Sequence, residues 1–142
     1  MSYATLQQLT DRYGERMLVM LTDRGETATR QIDGDTVDRA LADADALIDG
    51  YLAGRYALPL AETPPLIVDL AQRIAIWNLH TSAADEKIEA DYKDARATLK
   101  DIASGAARLP VAGVEPPSSG ASGVRITDRE RPMTEANMKG WI

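Results

Sequence analysis

The first side chain that could take part in catalysis or metal binding is His80, the one histidine of the chain. It could act as a general base or as a metal ligand, but there is no second histidine and no cysteine to complete a zinc site. The run Trp77-Asn78-Leu79-His80-Thr81 holds no serine in the turn that a hydrolase nucleophile occupies. A histidine near the C-terminal end of a helix, where its charged form is mildly favoured, explains His80 better.

Aspartates form the second group that could do chemistry. Asp45 and Asp49 are four residues apart and would share one helix face, which could suit a metal or acid–base catalysis. We favour a solvated helix face, which also includes the two aspartates Asp38 and Asp43. A calcium loop starting at Asp33 would need glutamate at its twelfth position, where the chain has alanine. The sequence therefore predicts no catalytic residue, no metal site and no cofactor.

Composition points to one ordinary domain with an appendage. The chain has 142 residues, 44% of them apolar, and lacks phenylalanine, so a core must be mainly aliphatic. Its net charge of −6 argues against a protein that grips DNA or an anionic membrane surface. The first residues lack the basic and apolar regions of a signal peptide, and no apolar run approaches the roughly 20 residues of a membrane span. We expect a soluble protein made in a reducing compartment.

A change of composition near Gly105 divides the chain. Residues 1–105 are predicted to form a helical body, residues 106–123 a linker rich in proline, glycine and serine, and residues 124–142 a C-terminal docking arm. Residues 106–142 carry five basic and four acidic side chains, so the acidic excess belongs to the body. The arm has too few apolar residues for a core of its own, so we expect it either to be disordered or to bind a partner.

Helical spacing of apolar residues in the body predicts an all-α fold, a small bundle of four to five helices with an extended C-terminal arm. Thr5 and Gln8 should form a capping box at the start of a first helix that ends at Gly14, and a second helix should cover residues 15–22. The polar segment 22–34 should be a loop, and its alternation of residues also allows a short hairpin.

The remaining three helices follow the same reasoning. Asp35 or Thr36 should cap the third, whose apolar face runs from Val37 to Tyr51. Pro64-Pro65 should open the fourth, and Asp85 and Gly105 should bound the fifth. One face of the fourth helix is predicted to be lined by Leu66, Leu70, Ile74 and Trp77.

Two segments suggest interaction surfaces. The segment between the third and fourth helices could fill the core, contact a neighbouring subunit, or do both; its candidate residues are Tyr51, Arg55, Tyr56, Leu58 and Pro59. The docking arm combines residue types that are common at interface centres with an alternation suited to strand addition. Its candidate residues are Val124, Arg125, Ile126, Arg131, Met133, Met138 and Trp141.

Several runs of residues resemble the Mu-like phage head–tail connector family of neck adaptor and head-completion proteins. The most specific run is Tyr51-Leu52-x-x-Arg55-Tyr56-x-Leu58-Pro59-Leu60. The opening Tyr3-Ala4-Thr5-x-x-x-Leu9-x-x-Arg12-Tyr13-Gly14 and the spacing of the last two helices are also similar. The resemblance covers most of residues 3–109.

The resemblance implies a structural virion protein of the neck, assembled in the host cytoplasm, and not an enzyme. Such a protein would bind the portal protein as a homo-oligomeric ring, twelvefold, with its C-terminal arm gripping the portal. The ring would extend the channel for double-stranded DNA, which passes without specific binding, and would offer a platform for a tail-side neck or stopper protein. An acidic body suits that channel, and Asp38, Asp45 and Asp49 are candidates to face it.

Two other functions remain open from the sequence. One is a cytosolic helical adaptor that docks a single partner through its C-terminal arm. The other is a small hydrolase or metal-dependent enzyme that uses His80 and the aspartates of the third helix.

Overall fold

Five helices make up the regular structure of residues 2–110, which are the residues that this computed structural model describes. The helices are α1 (Leu6–Tyr13), α2 (Glu15–Thr22), α3 (Gly34–Leu52), α4 (Pro65–Asn78) and α5 (Glu86–Ser104). The described residues contain no strand, so the hairpin that the sequence allowed in segment 22–34 does not form there. The prediction of a small all-α bundle is confirmed.

Local sequence sets most helix ends. At α1 the Gln8 N–H donates to Thr5 Oγ1 at 3.2 Å and the Thr5 N–H donates to Gln8 Oε1 at 2.9 Å, which confirms the capping box. Pro65 is the first residue of α4, where a missing N–H has no cost. Gly105 ends α5 with a φ of 90°, in the left-handed region that glycine adopts most readily.

The start of α3 differs from the sequence prediction. Its N-cap is Asp33, whose carboxylate accepts the Asp35 N–H at 3.1 Å and the Thr36 hydroxyl at 2.8 Å. The hydroxyl bond is the main cause that lowers the pKa of Asp33. The prediction that Asp35 or Thr36 caps the helix was wrong, because both already lie within its first turn and Thr36 donates to the true cap.

The core lies mainly among α3, α4 and α5, which pack against one another, while α1 packs against α2, α3 and α4. Its largest fully buried side chains include Leu9, Leu18, Ile48, Leu52, Ile67, Ile74, Ile76, Leu79, Leu99 and Ile102. One prediction for α4 was wrong: Leu66 is exposed and its neighbour Ile67 is buried. Ile67, Leu70 and Ile74 share a face at the spacing i, i+3, i+7, and Leu66 lies one residue off it.

The body extends beyond the boundary that composition suggested at residue 105. Leu109 is buried, and its backbone N–H donates to the Tyr56 hydroxyl at 3.0 Å. Ala107 also packs against the core. Residues 106–109 therefore belong with the helices rather than with a linker. The rest of the predicted linker and the docking arm, including Val124 and Trp141, lie outside the described residues.

Candidate interaction surfaces

His80 has a structural partner at the end of α4. Its Nδ1 lies 2.8 Å from the carbonyl oxygen of Ile76, one helical turn earlier, so the ring donates from that nitrogen. Within residues 2–110 no group of three or more histidine, aspartate or glutamate side chains is close enough to hold a metal ion. In the same part of the chain, no helix is long and apolar enough to span a membrane.

The N-terminal segment covers two of the three aspartates expected to face a channel. Asp45 accepts the Ser2 hydroxyl at 2.8 Å and the Tyr3 N–H at 3.0 Å, and Asp49 accepts the Tyr3 hydroxyl. Both carboxylates are half-buried, whereas Asp38 is exposed. Asp45 and Asp49 thus share a helix face, as predicted, but they fix the N-terminus to α3. That these acids face a channel stays a prediction.

The Tyr3 contact should be visible in the pH dependence of stability. Burial, then the bond to Asp49 and the charges of Asp49 and Asp45, raise the pKa of Tyr3 above its ordinary 10.0. The folded chain therefore holds this proton more tightly than the unfolded chain. The resulting stability is fully present below pH 10.0 and is lost as pH rises toward the folded pKa. In urea unfolding, the advantage of the native protein over the Tyr3→Phe variant should shrink above that pH.

Other tyrosines and lysines titrate in both proteins, so the difference between the two pH profiles isolates Tyr3. Parallel profiles on both sides of pH 10.0 would show that the Tyr3 hydroxyl has no such linkage.

The five candidate residues predicted around the segment between α3 and α4 lie in different environments. Tyr56 is buried in the core, Leu58 is half-buried, and Pro59, which follows a cis peptide bond, is exposed. The Arg55 guanidinium lies against Gly105, about 3.0 Å from where a Cβ atom would be, so it packs on the end of α5. The segment thus joins the C-terminal ends of α3 and α5, and a role of its exposed part in subunit contacts stays a prediction.

Tyr51, the fifth candidate, lies in α3 and contacts Arg96, one of the basic and aromatic residues that line a groove between α4 and α5. The rings of Trp77 and Tyr92 stack with their centroids 4.6 Å apart and an interplanar angle of 11°. The Arg96 guanidinium lies 5.8 Å from the Tyr92 centroid and donates to the Tyr51 hydroxyl at 3.3 Å. That hydrogen bond is the main cause that raises the pKa of Arg96. The groove has a volume of about 490 Å³ and also involves Lys93 and Lys100.

Basic and acidic side chains lie on different sides of α5. Lys93 and Lys100 are seven residues apart and form one exposed row, which we call the lysine row. Asp94 and Asp101 form a second exposed row, the aspartate row, one residue further around the helix. Ala97 lies between the two rows. This order was not predicted, although the i, i+7 spacing of both pairs is a signal for it in the sequence. Glu86 lies a further seven residues before Lys93, at the N-terminal end of the lysine row.

A second groove, of about 400 Å³, separates α5 from α1 and α2 and includes Tyr13, Met17, Ile88 and Asp91. Lys87 reaches Asp91 at 3.2 Å across one turn of α5. Burial raises the pKa of Tyr13, whose hydroxyl has no hydrogen-bond partner among the described residues. The side of α5 that carries Asp91 therefore also borders this largely apolar groove.

Comparison with known proteins places the chain beside Mu-like phage proteins. The family model described as "Bacteriophage Mu, Gp36" matches residues 3–127. "Gene product J" of Escherichia phage Mu is 41% identical over 105 residues, which are 74% of this chain and 74% of that protein. "Mu-like prophage FluMu protein gp36" of Haemophilus influenzae is 35% identical over 107 residues, 75% of this chain and 74% of that protein.

Proposed function

The chain belongs to the Bacteriophage Mu Gp36 family, which indicates a phage structural or assembly role, and from that premise we propose that it is a head–tail connector. In this proposal the chain is a structural virion protein rather than an enzyme. Copies form a ring on the portal vertex of a filled head, twelve in number, and provide the platform to which the tail attaches. The protein is assembled in the host cytoplasm and resides in the neck of the virion.

The observation that carries the proposal is the extent of the family match. It covers residues 3–127 and so includes the whole segment 51–60, the run of residues on which the resemblance to the head–tail connector family mainly rests. In the structure this segment is built into the body, since Tyr56 is in the core and Arg55 packs on the end of α5. The residues that carry the resemblance are therefore part of the packing of the body, and they do not form a separate motif on its surface.

Electrostatics supports a ring through which DNA passes without being held. The chain has a net charge of −6, and Asp38 is exposed on α3. A basic channel would neutralise phosphates and bind the duplex tightly, whereas an acidic wall lets it slide. The proposed partners are the portal protein, a tail-side neck or stopper protein and the other copies of the chain.

A nonsense mutation in the gene tests the proposal. In the phage or induced prophage, we expect electron microscopy of the lysate to show DNA-filled or leaking heads beside complete, free tails. Supplying the intact chain from a plasmid should restore whole particles, which controls for effects on neighbouring genes. Normal infectious particles from the mutant would contradict a neck role and favour a cytosolic adaptor that docks one partner.

A further inference from the structure

We propose that the two charged rows of α5 form the contact between neighbouring copies of the chain, with the lysine row of one copy on the aspartate row of the next. The inference rests on the proposed function, because a ring requires a contact between copies. It adds which residues make that contact, and which row of one copy meets which row of the next.

The net charges on the two sides of α5 are opposite in sign. The lysine side holds Lys93, Arg96 and Lys100, with Glu86 and Glu89 as its acidic members; Lys93 pairs with Glu89 at 3.0 Å. The aspartate side holds Asp91, Asp94 and Asp101, with Lys87 as its basic member. The lysine side thus carries an excess of one positive formal charge, and the aspartate side carries an excess of two negative formal charges. A second copy offers the complementary side, and complementary potentials favour such an association.

The lysine side also has the residue types that contribute most to binding. Tryptophan, tyrosine and arginine are enriched at interface hot spots, and here Trp77, Tyr92 and Arg96 lie together in one groove. Stacking fixes the two rings and the Tyr51 hydroxyl fixes the guanidinium. Because these side chains are already ordered, a partner that covers them loses little conformational entropy.

The proposed ring sets the polarity of the contact, because a contact with two-fold symmetry closes only a pair of copies, whereas a ring needs each row to meet a different neighbour. A contact between unlike surfaces is heterologous, and it builds a ring when the rotation between copies closes. A contact of the lysine row with its own copy would place like charges together, which is unfavourable. Contact with DNA is disfavoured as well, because the aspartate row lies directly beside the lysine row on the same helix.

Charge reversal followed by re-pairing tests the inference in the phage. Variants with Lys93→Glu and Lys100→Glu, or with Asp94→Lys and Asp101→Lys, should each lower the plaque titre of a complemented nonsense mutant by about 100-fold or more. The chain that carries all four substitutions should recover most of the titre, because both sides of every contact then change sign together.

Two controls keep this result interpretable. All four positions are exposed, and the Lys93–Glu89 ion pair that Lys93→Glu removes is exposed as well, so each variant should stay folded, with only a small change in its urea midpoint. Reversing two exposed arginines outside α5, with Arg16→Glu and Arg39→Glu, should leave the titre near the native value. The inference is overturned if neither double variant loses titre, or if the fourfold variant fails to recover although it folds, since the rows would then bind something other than each other.

Cross-linking shows which rows meet and does not depend on plaque formation. The chain has no cysteine, so the separate variants Lys100→Cys and Asp101→Cys each carry one unique thiol, and no bridge can form within a chain. In phage-producing cells that make both variants together, a bis-maleimide should give a cross-linked dimer, and it should give no product when either variant is made alone. No product from the mixture, or a product from either variant alone, would overturn the pairing of the lysine row with the aspartate row. A neck defect in the nonsense lysate without the mixed dimer removes only this inference, whereas normal nonsense particles remove the proposed function.

Discussion

Replacing Tyr56 by alanine is expected to lower the free energy of unfolding by about 3–5 kcal/mol. Tyr56 is 3% exposed, so removing its ring leaves a cavity between the end of α3 and the rest of the core. The substitution also removes the hydroxyl that accepts the Leu109 N–H at 3.0 Å. Urea unfolding followed by far-ultraviolet circular dichroism measures the loss.

Tyr56→Phe separates the ring from the hydroxyl. It keeps the packing and leaves the Leu109 N–H without its acceptor, which should cost about 1–3 kcal/mol. Leu66→Ala is the matched surface control, because Leu66 is exposed and should change stability by about 0.5 kcal/mol or less. A similar small loss for Tyr56→Ala would contradict the place given to this residue in the core.

Features of the fold that depend on neighbouring residues could be predicted from the sequence. The capping box of Thr5 and Gln8, the start of α4 at Pro65 and the end of α5 at Gly105 are local, and the structure has them as expected. The burial of Leu109 could not be predicted in this way. It follows the last helix in a segment whose composition is typical of a linker, and it is held by Tyr56, which lies 53 residues earlier.

The candidate surfaces show the same difference between features that neighbouring residues determine and contacts between residues that are distant in sequence. Helical spacing correctly placed Asp45 and Asp49 on one face, but their partners Ser2 and Tyr3 lie more than 40 residues away in sequence. Trp77 has the spacing of a core residue, and spacing alone does not distinguish a buried ring from one that stacks on Tyr92 at a groove. On α5 charges of both signs are interleaved along the sequence, and they separate into two sides only when they are placed around the helix.

Deleting residues 124–142 is expected to reduce plaque formation to the level of the nonsense mutant while the body stays folded. Under the proposed function this segment binds the portal, so heads should be left without tails. The described contacts of the body extend as far as Leu109, so a chain that ends at residue 123 keeps all of them. Electron microscopy of the lysate and urea unfolding of the purified chain measure the two effects.

Two further truncations measure how much residues 106–110 contribute to the stability of the body. A chain that ends at residue 110 should unfold like the native chain, because it retains Leu109 and the bond to Tyr56. A chain that ends at residue 105 should be less stable by about 2 kcal/mol or more, since it loses a buried leucine and a buried hydrogen bond together. If the chain ending at residue 123 still completes infectious particles, the portal contact must lie within the body, and the exposed part of segment 51–60 becomes the surface to mutate.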